Sequence, residues 1–220
     1  DDSPPWEEAA EELRYHAGAV RSEAVEFSLP SAFAPRSTSL AALGLEAFTP
    51  GTSVVSGALA LMHLIHDRFD YEPLATTVAT RAPEALEQRR GVCQDFAHVM
   101  IGACRSLGLA ARYVSGYLLT RPPPGKPRLI GADASHAWVS VYAPGFAGGD
   151  WVDFDPTNNL LPNTEHITVA IGRDFGDISP LRGIILGGGG AEPEVEVTVT
   201  PLDEEEPPVV AEALPEKAAS

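Results

Sequence analysis

Cys93, His136 and Asp155 are a thiol, an imidazole and a carboxylate, the three side-chain types that nucleophilic acyl transfer combines. A thiol attacks a carbonyl only as its thiolate, so it needs a base, and the base needs a third group to fix its tautomer. The segment Gly91-Val-Cys-Gln-Asp-Phe-Ala-His98 sets the thiol between a turn and an apolar run, Val99 to Leu109. Val99, Ala103 and Leu107 recur there at helical spacing, and Gly108 is a suitable stop. Cys93 is therefore predicted in the first turn of a buried helix, where unpaired N–H groups and the positive end of the macrodipole favour a thiolate.

Each residue also has an ordinary reading. A cysteine is commonly a small buried hydrophobe, and Cys104, eleven residues further along the run, reads as core. His136 alone would be a strand histidine, and Asp155, before Pro156, a turn-former. Asp153 competes with Asp155 as the orienting acid but lies within the predicted strand. Asp95 and His98 could line a cleft or cap and pack the helix. A zinc site from Cys93, His98 and His136 lacks the usual Cys-x-x-Cys or paired-histidine spacing. His63 and His66, at i and i+3, could supply half of a metal site or sit on a polar helix face.

The elements that would position the triad follow from periodicity. Ser53 to Asp70 reads as a helix, apolar over much of its circumference, and Pro83 to Arg89 as a short helix capped by Thr80 or Ala82. After Gly108 the period becomes two. Ala111–Leu119, Ser135–Tyr142, Trp151–Asp155 and Ile167–Ile171 read as strands joined by turns, hence a mostly antiparallel sheet. If the second and third strands form a hairpin, His136 and Asp155 can meet across it, and Trp151, Asp153 and Asp155 share one side. Trp138 and Trp151 could wall the cleft or pack the sheet. Val195, Val197 and Val199, alternating with Glu194, Glu196 and Thr198, suggest one more strand. Gly187–Gly190 reads as a connector, because it lacks the Lys and Ser/Thr of a phosphate loop.

Residues 1–49 read as a lead-in or linker, with a helix from Trp6 to Tyr15 and an extended remainder. Residues 50–202 read as the catalytic domain, and 203–220 as an acidic disordered tail. The formal net charge is −16. Residues 191–220 contribute −8 and residues 1–12 contribute −6, so the intervening 178 residues carry only about −2. Without clustered Lys and Arg, nucleic acid is not an expected partner. Two cysteines about 16 Å apart on one helix cannot form a disulfide, which suits a reducing, cytoplasmic setting. No apolar run is long enough for a membrane span. With Asp1 rather than Met at its start, the chain reads as a fragment or processed product.

Four segments together resemble the bacterial transglutaminase-like family of the papain-like cysteine protease and transglutaminase superfamily. They are Arg90-Gly-Val-Cys-Gln-Asp-Phe-Ala-His98, Ala110-Ala-Arg-Tyr-Val-Ser-Gly-Tyr117, His136-Ala-Trp-Val-Ser-Val-Tyr142 and Trp151-Val-Asp-Phe-Asp-Pro-Thr-Asn158. The resemblance implies an α+β, papain-like core with N-terminal helices packed on the sheet. It implies a Cys93–His136–Asp155 triad, and residues 1–30 as a remnant or linker of an upstream β-rich domain. The expected chemistry is acyl transfer or hydrolysis at a peptide or glutamine-type amide through a Cys93 thioester, with an amine as acceptor in the transfer branch. Peptidase or amidase activity is the alternative, and a non-catalytic peptide-binding module the alternative of another class. No cofactor or metal is expected. Gln88 and Gln94 are candidate oxyanion donors beside the Cys93 backbone N–H.

Overall fold

The computed structural model describes residues 1–14, 22–119, 134–178 and 197–200. The expected loop at 121–131, the Gly187–Gly190 connector and the 203–220 tail lie outside these residues, as do positions 194–196 of the expected strand that runs to Val199.

Helices come first and a sheet second. Helix α1 (Trp6–Glu12), α2 (Val25–Ser28), α3 (Thr38–Ala47) and α4 (Val54–Arg68) precede α5 (Ala82–Gln88) and α6 (Cys93–Ser106). The short strands β1 (Asp70–Tyr71) and β2 (Arg90–Gly91) pair in parallel. Strands β3 (Ala111–Leu118), β4 (Ala134–Tyr142), β5 (Trp151–Phe154) and β6 (His166–Gly172) form an antiparallel sheet of order β5-β4-β3-β6. The α+β class and antiparallel sheet are those expected.

Local chemistry explains the helix boundaries. Ser53 caps α4, its hydroxyl accepting from the Ser56 N–H, and Val54, Ala58, Leu61, Met62 and Ile65 are buried along one side. Helix α6 is the central column, with Phe96, Ala97, Val99, Met100, Ile101, Ala103 and Cys104 all buried. Each large apolar side chain removed from water there contributes roughly 1.5–3 kcal/mol. Gly108, at φ 91°, ends the column in a conformation that disfavours any residue with a Cβ. The core lies between α6 and the sheet face formed by Tyr113, Ala137, Val139, Val141 and Phe154.

The expected extended lead-in is instead partly helical. Ser37 caps α3 through a 3.1 Å bond from the Leu40 N–H, and Leu40, Leu43 and Phe48 are buried in the same core as α4 and α6. A Ser- and Ala-rich stretch between prolines looks like linker, but its three buried large apolar residues suffice once α6 supplies the surface they need. The buried Arg105 guanidinium ties four remote segments together. It donates to the Phe27, Ala111 and Arg173 carbonyls and to the Ser31 hydroxyl over 2.7–3.2 Å.

A candidate active site at the α6 N-terminus

Cys93 is the first residue of α6 and is half-buried, whereas Cys104 is fully enclosed. The turn before it is fixed by Asp95, whose Oδ2 accepts from the Val92 N–H at 2.8 Å and the Thr76 hydroxyl at 2.6 Å. Asp95 thus caps the helix. The same carboxylate explains Gly91, where a Cβ would collide with Asp95.

Strand β4 carries His136 and β5 delivers Asp155. The hairpin register sets Ser140 opposite Asp153 and Val139 opposite Phe154. The indole of Trp138 donates to Asp153 at 3.1 Å, so the rival acid is occupied within the sheet. Asp155, one residue beyond β5, reaches His136, with Nε2 2.8 Å from Oδ2. That leaves Nδ1 as the ring atom free for Cys93, which acts on the imidazole as a second hydrogen-bonding partner.

Asp155 is wholly buried, and its carboxylate is saturated with donors. Oδ1 accepts from the Thr157 and Asn158 backbone N–H groups at 3.0 and 3.1 Å. Oδ2 accepts from His136, from the Asn158 amide at 2.8 Å and from His166 at 3.1 Å. Burial alone would raise the Asp155 pKa. The bonds from His136, His166 and Asn158 outweigh it and hold the carboxyl well below its usual range. Burial likewise disfavours the His136 imidazolium, but Asp155 and Cys93 more than compensate and lift the ring to about 9.

His98 belongs to the packing. Its ring stacks on Phe33 at 5.3 Å, its Nε2 accepts from the Phe175 N–H at 3.2 Å, and burial pushes it down to about 3. A zinc site through His98, for which the sequence lacks the ligand spacing, would have to displace the Phe175 N–H from the ring's acceptor. His63 and His66 brace a loop, His63 bonding the Asn159 side chain and His66 Nδ1 lying 3.1 Å from the Thr157 carbonyl. Trp151 packs beside Tyr142, Phe27 and Arg112, and Trp138 is buried, so both tryptophans take the sheet-packing role. The Gln94 amide donates to the Val78 carbonyl at 3.2 Å, and Gln88 is exposed at the end of α5.

Three residues beside the site were not singled out from sequence. Asn158 is one. Tyr71, opposite Gly91 in the short parallel pair, is another; burial and then the Cys93 charge raise its phenol pKa. His166, at the start of β6, is the third. Its Nε2 lies with His136 Nε2 and Asp155 Oδ2 in a group spanning at most 4.8 Å, a spacing that a transition metal could bridge. Both nitrogens are, however, already hydrogen-bonded to that oxygen.

A model of the transglutaminase-like superfamily matches residues 43–156, and the chain belongs to that superfamily. An uncharacterized protein of Mycobacterium tuberculosis is 41% identical over 201 residues, covering 90% of this chain and 62% of its own length. An uncharacterized protein of Mycobacterium leprae is 37% identical over 179 residues, covering 79% and 60% respectively. The chain thus spans about three-fifths of the length of these relatives. Among solved structures, a candidate cysteine protease from Cytophaga hutchinsonii superposes with a TM-score of 0.59 at 31% identity, covering 76% of this chain and 53% of that one. No helix among the described residues is long and apolar enough to cross a membrane.

Proposed function

We propose that this chain is a thiol-dependent enzyme that forms a Cys93 thioester from a peptide or glutamine-type amide and passes the acyl group to water or an amine. The observation that carries the reading is the buried 2.8 Å His136–Asp155 pair, set beside a cysteine at a helix N-terminus. The likeness to a candidate cysteine protease supports it.

In this scheme the Cys93 thiolate attacks the amide carbonyl carbon, and the Cys93 backbone N–H supports the oxyanion. Nδ1–H of the His136 imidazolium protonates the departing amine, which leaves as ammonia or a peptide amine. Neutral His136 then takes a proton from water or from an acceptor amine as it attacks the thioester, and the thiolate–imidazolium pair is restored. Asp155 keeps Nε2–H pointed at itself throughout and stays ionised. Hydrolysis and transfer share the first half; the nucleophile admitted to the thioester separates them.

A glutaminyl dipeptide and a short unstructured protein, each with and without hydroxylamine, provide the test. Ammonia or peptide release without hydroxylamine, hydroxamate with it, and loss of both in Cys93→Ala are the expected results. Equal turnover by the wild type and Cys93→Ala would end the proposal.

A further inference from the structure

His166 has no place in a three-residue scheme, yet it is built into the site. Its side chain is 3% exposed, and its Nε2 lies 3.1 Å from the same Asp155 oxygen that His136 uses. Two contacts fix its ring and a third fixes its backbone. The Asn163 backbone N–H approaches Nδ1 at 3.4 Å, so Nδ1 is the acceptor and the proton sits on Nε2, aimed at Asp155. The His166 N–H donates to the Asn163 carbonyl at 3.0 Å, closing the turn that enters β6. The ring meets Trp138 edge to face, with centroids 5.3 Å apart. That indole is itself anchored to Asp153. A buried imidazole with a fixed tautomer, directed at an acid that another imidazole already occupies, is more than a packing element.

We propose that His166 is a positioning residue: its Nε2–H shares Asp155 Oδ2 with His136 and so limits how strongly Asp155 grips the His136 ring. The inference rests on the thiol-enzyme reading above only for its consequence in turnover. Each donor on Oδ2 draws off carboxylate charge that would otherwise act on His136. Asp155 keeps four other donors when His166 is lost: the Thr157 and Asn158 N–H groups, the Asn158 amide and His136. The carboxylate therefore stays in place while its effective charge toward His136 rises. The charged or titratable groups acting on His136 are Cys93 from α6, Asp155 from the turn after β5, and His166 through Asp155. Asp153 faces the neighbouring Trp138 indole.

The test is a side-chain NMR titration of His136 in the full chain, which needs no substrate. In His166→Leu the His136 midpoint should move up by about half a unit to one unit. In His166→Gln the amide nitrogen occupies the Nε2 position, and the wild-type midpoint should be retained. His166→Asn, polar but too short to reach Asp155, should behave like Leu and serves if Leu does not fold. The rate of Cys93 alkylation by iodoacetamide against pH should show the same ordering, its alkaline change displaced upward in Leu and Asn but not in Gln. An unchanged or lowered His136 midpoint in both Leu and Asn, or a Gln variant indistinguishable from them, would overturn the proposal. If the midpoint moves as stated while no amide or peptide is turned over, the positioning role stands and the enzyme reading falls.

Discussion

His66 Nδ1 lies 3.1 Å from the carbonyl oxygen of Thr157, so a helix near the start of the chain holds the turn that presents Asp155. His63 adds a second clasp one helical turn earlier, on the Asn159 side chain, and Asn159 itself has a left-handed φ of 55°. The acid is thus positioned by its own strand and also by α4.

That clasp predicts a stability effect. His66→Leu removes the donor and strands a carbonyl, at about 1 kcal/mol for one hydrogen bond. For a domain of this size that corresponds to a fall in Tm of about 2–4 °C. Differential scanning calorimetry should show it, and a variant melting with the wild type would mean that the turn holds itself.

Asp155 and Asp153 are two residues apart and share a strand face, yet they should respond differently to the same isosteric change. Asp155→Asn removes the charge that sustains the His136 imidazolium and should lower kcat/KM on any amide substrate by at least ~10²-fold. Asp153→Asn keeps an acceptor for the Trp138 indole and should stay within about threefold of wild type. Parallel steady-state assays check both; comparable losses would mean that the sheet, rather than the acid, was damaged.

The two cysteines give a built-in comparison. Cys104 is fully buried, and burial pushes its thiol up to about 12, so iodoacetamide at pH 7.5 should leave it unmodified in the folded protein. Cys93, half-buried at the head of α6, should be carboxamidomethylated within minutes. Peptide mass spectrometry after a timed quench reads both sites, and equal labelling would contradict this assignment of exposure.

His98 and His136 impose opposite pH slopes on stability. His98 is held near 3 by burial, which outweighs the neighbouring Asp174 carboxylate, while Arg105 lowers it further. Its unfolded pKa is about 6.5, so the unfolded state takes up a proton that the native state refuses. The His98 contribution is complete above about pH 6.5 and is lost as the pH falls toward 3, amounting to roughly 3 kcal/mol by pH 4. His136, raised to about 9, contributes fully below about pH 6.5 and loses that stabilisation as the pH climbs through 9. Urea midpoints at pH 4.5, 6.5 and 9.5 should therefore peak in the middle. His98→Phe should flatten the acid side alone, and a variant with the wild-type slope there would remove His98 from the account.

Much of this was legible along the chain because it is locally encoded. The helix headed by Cys93 announced itself by a turn glycine and helical spacing. The hairpin that brings His136 to Asp155 followed from two alternating strands, whose parity also put Asp153 and Asp155 on one side. What could not be read was long-range. His166 stands eleven residues after Asp155, at the first position of β6, just outside the alternating run that starts at Ile167. It reaches the site because β6 lies beside β3, an order that the succession of strands does not reveal. His63 and His66 looked like polar-face residues for the same reason, since their partners lie more than ninety positions away. Helix α3 was hidden by composition, its few large side chains gaining meaning only against α6.

Arg105 gives the molecule a common fate. A single guanidinium, lowered to about 10 by burial, closes contacts with the α2 segment, with Ser31, with the start of β3 and with the loop after β6. Detaching any one of these segments leaves a desolvated cation short of acceptors, a penalty that the remaining contacts must absorb. Peeling away the first thirty residues is therefore not a trim at the edge. It weakens the helix that bears the thiol and the loop beyond the last strand together, so the chain should melt as one cooperative unit from residue 27 to residue 173.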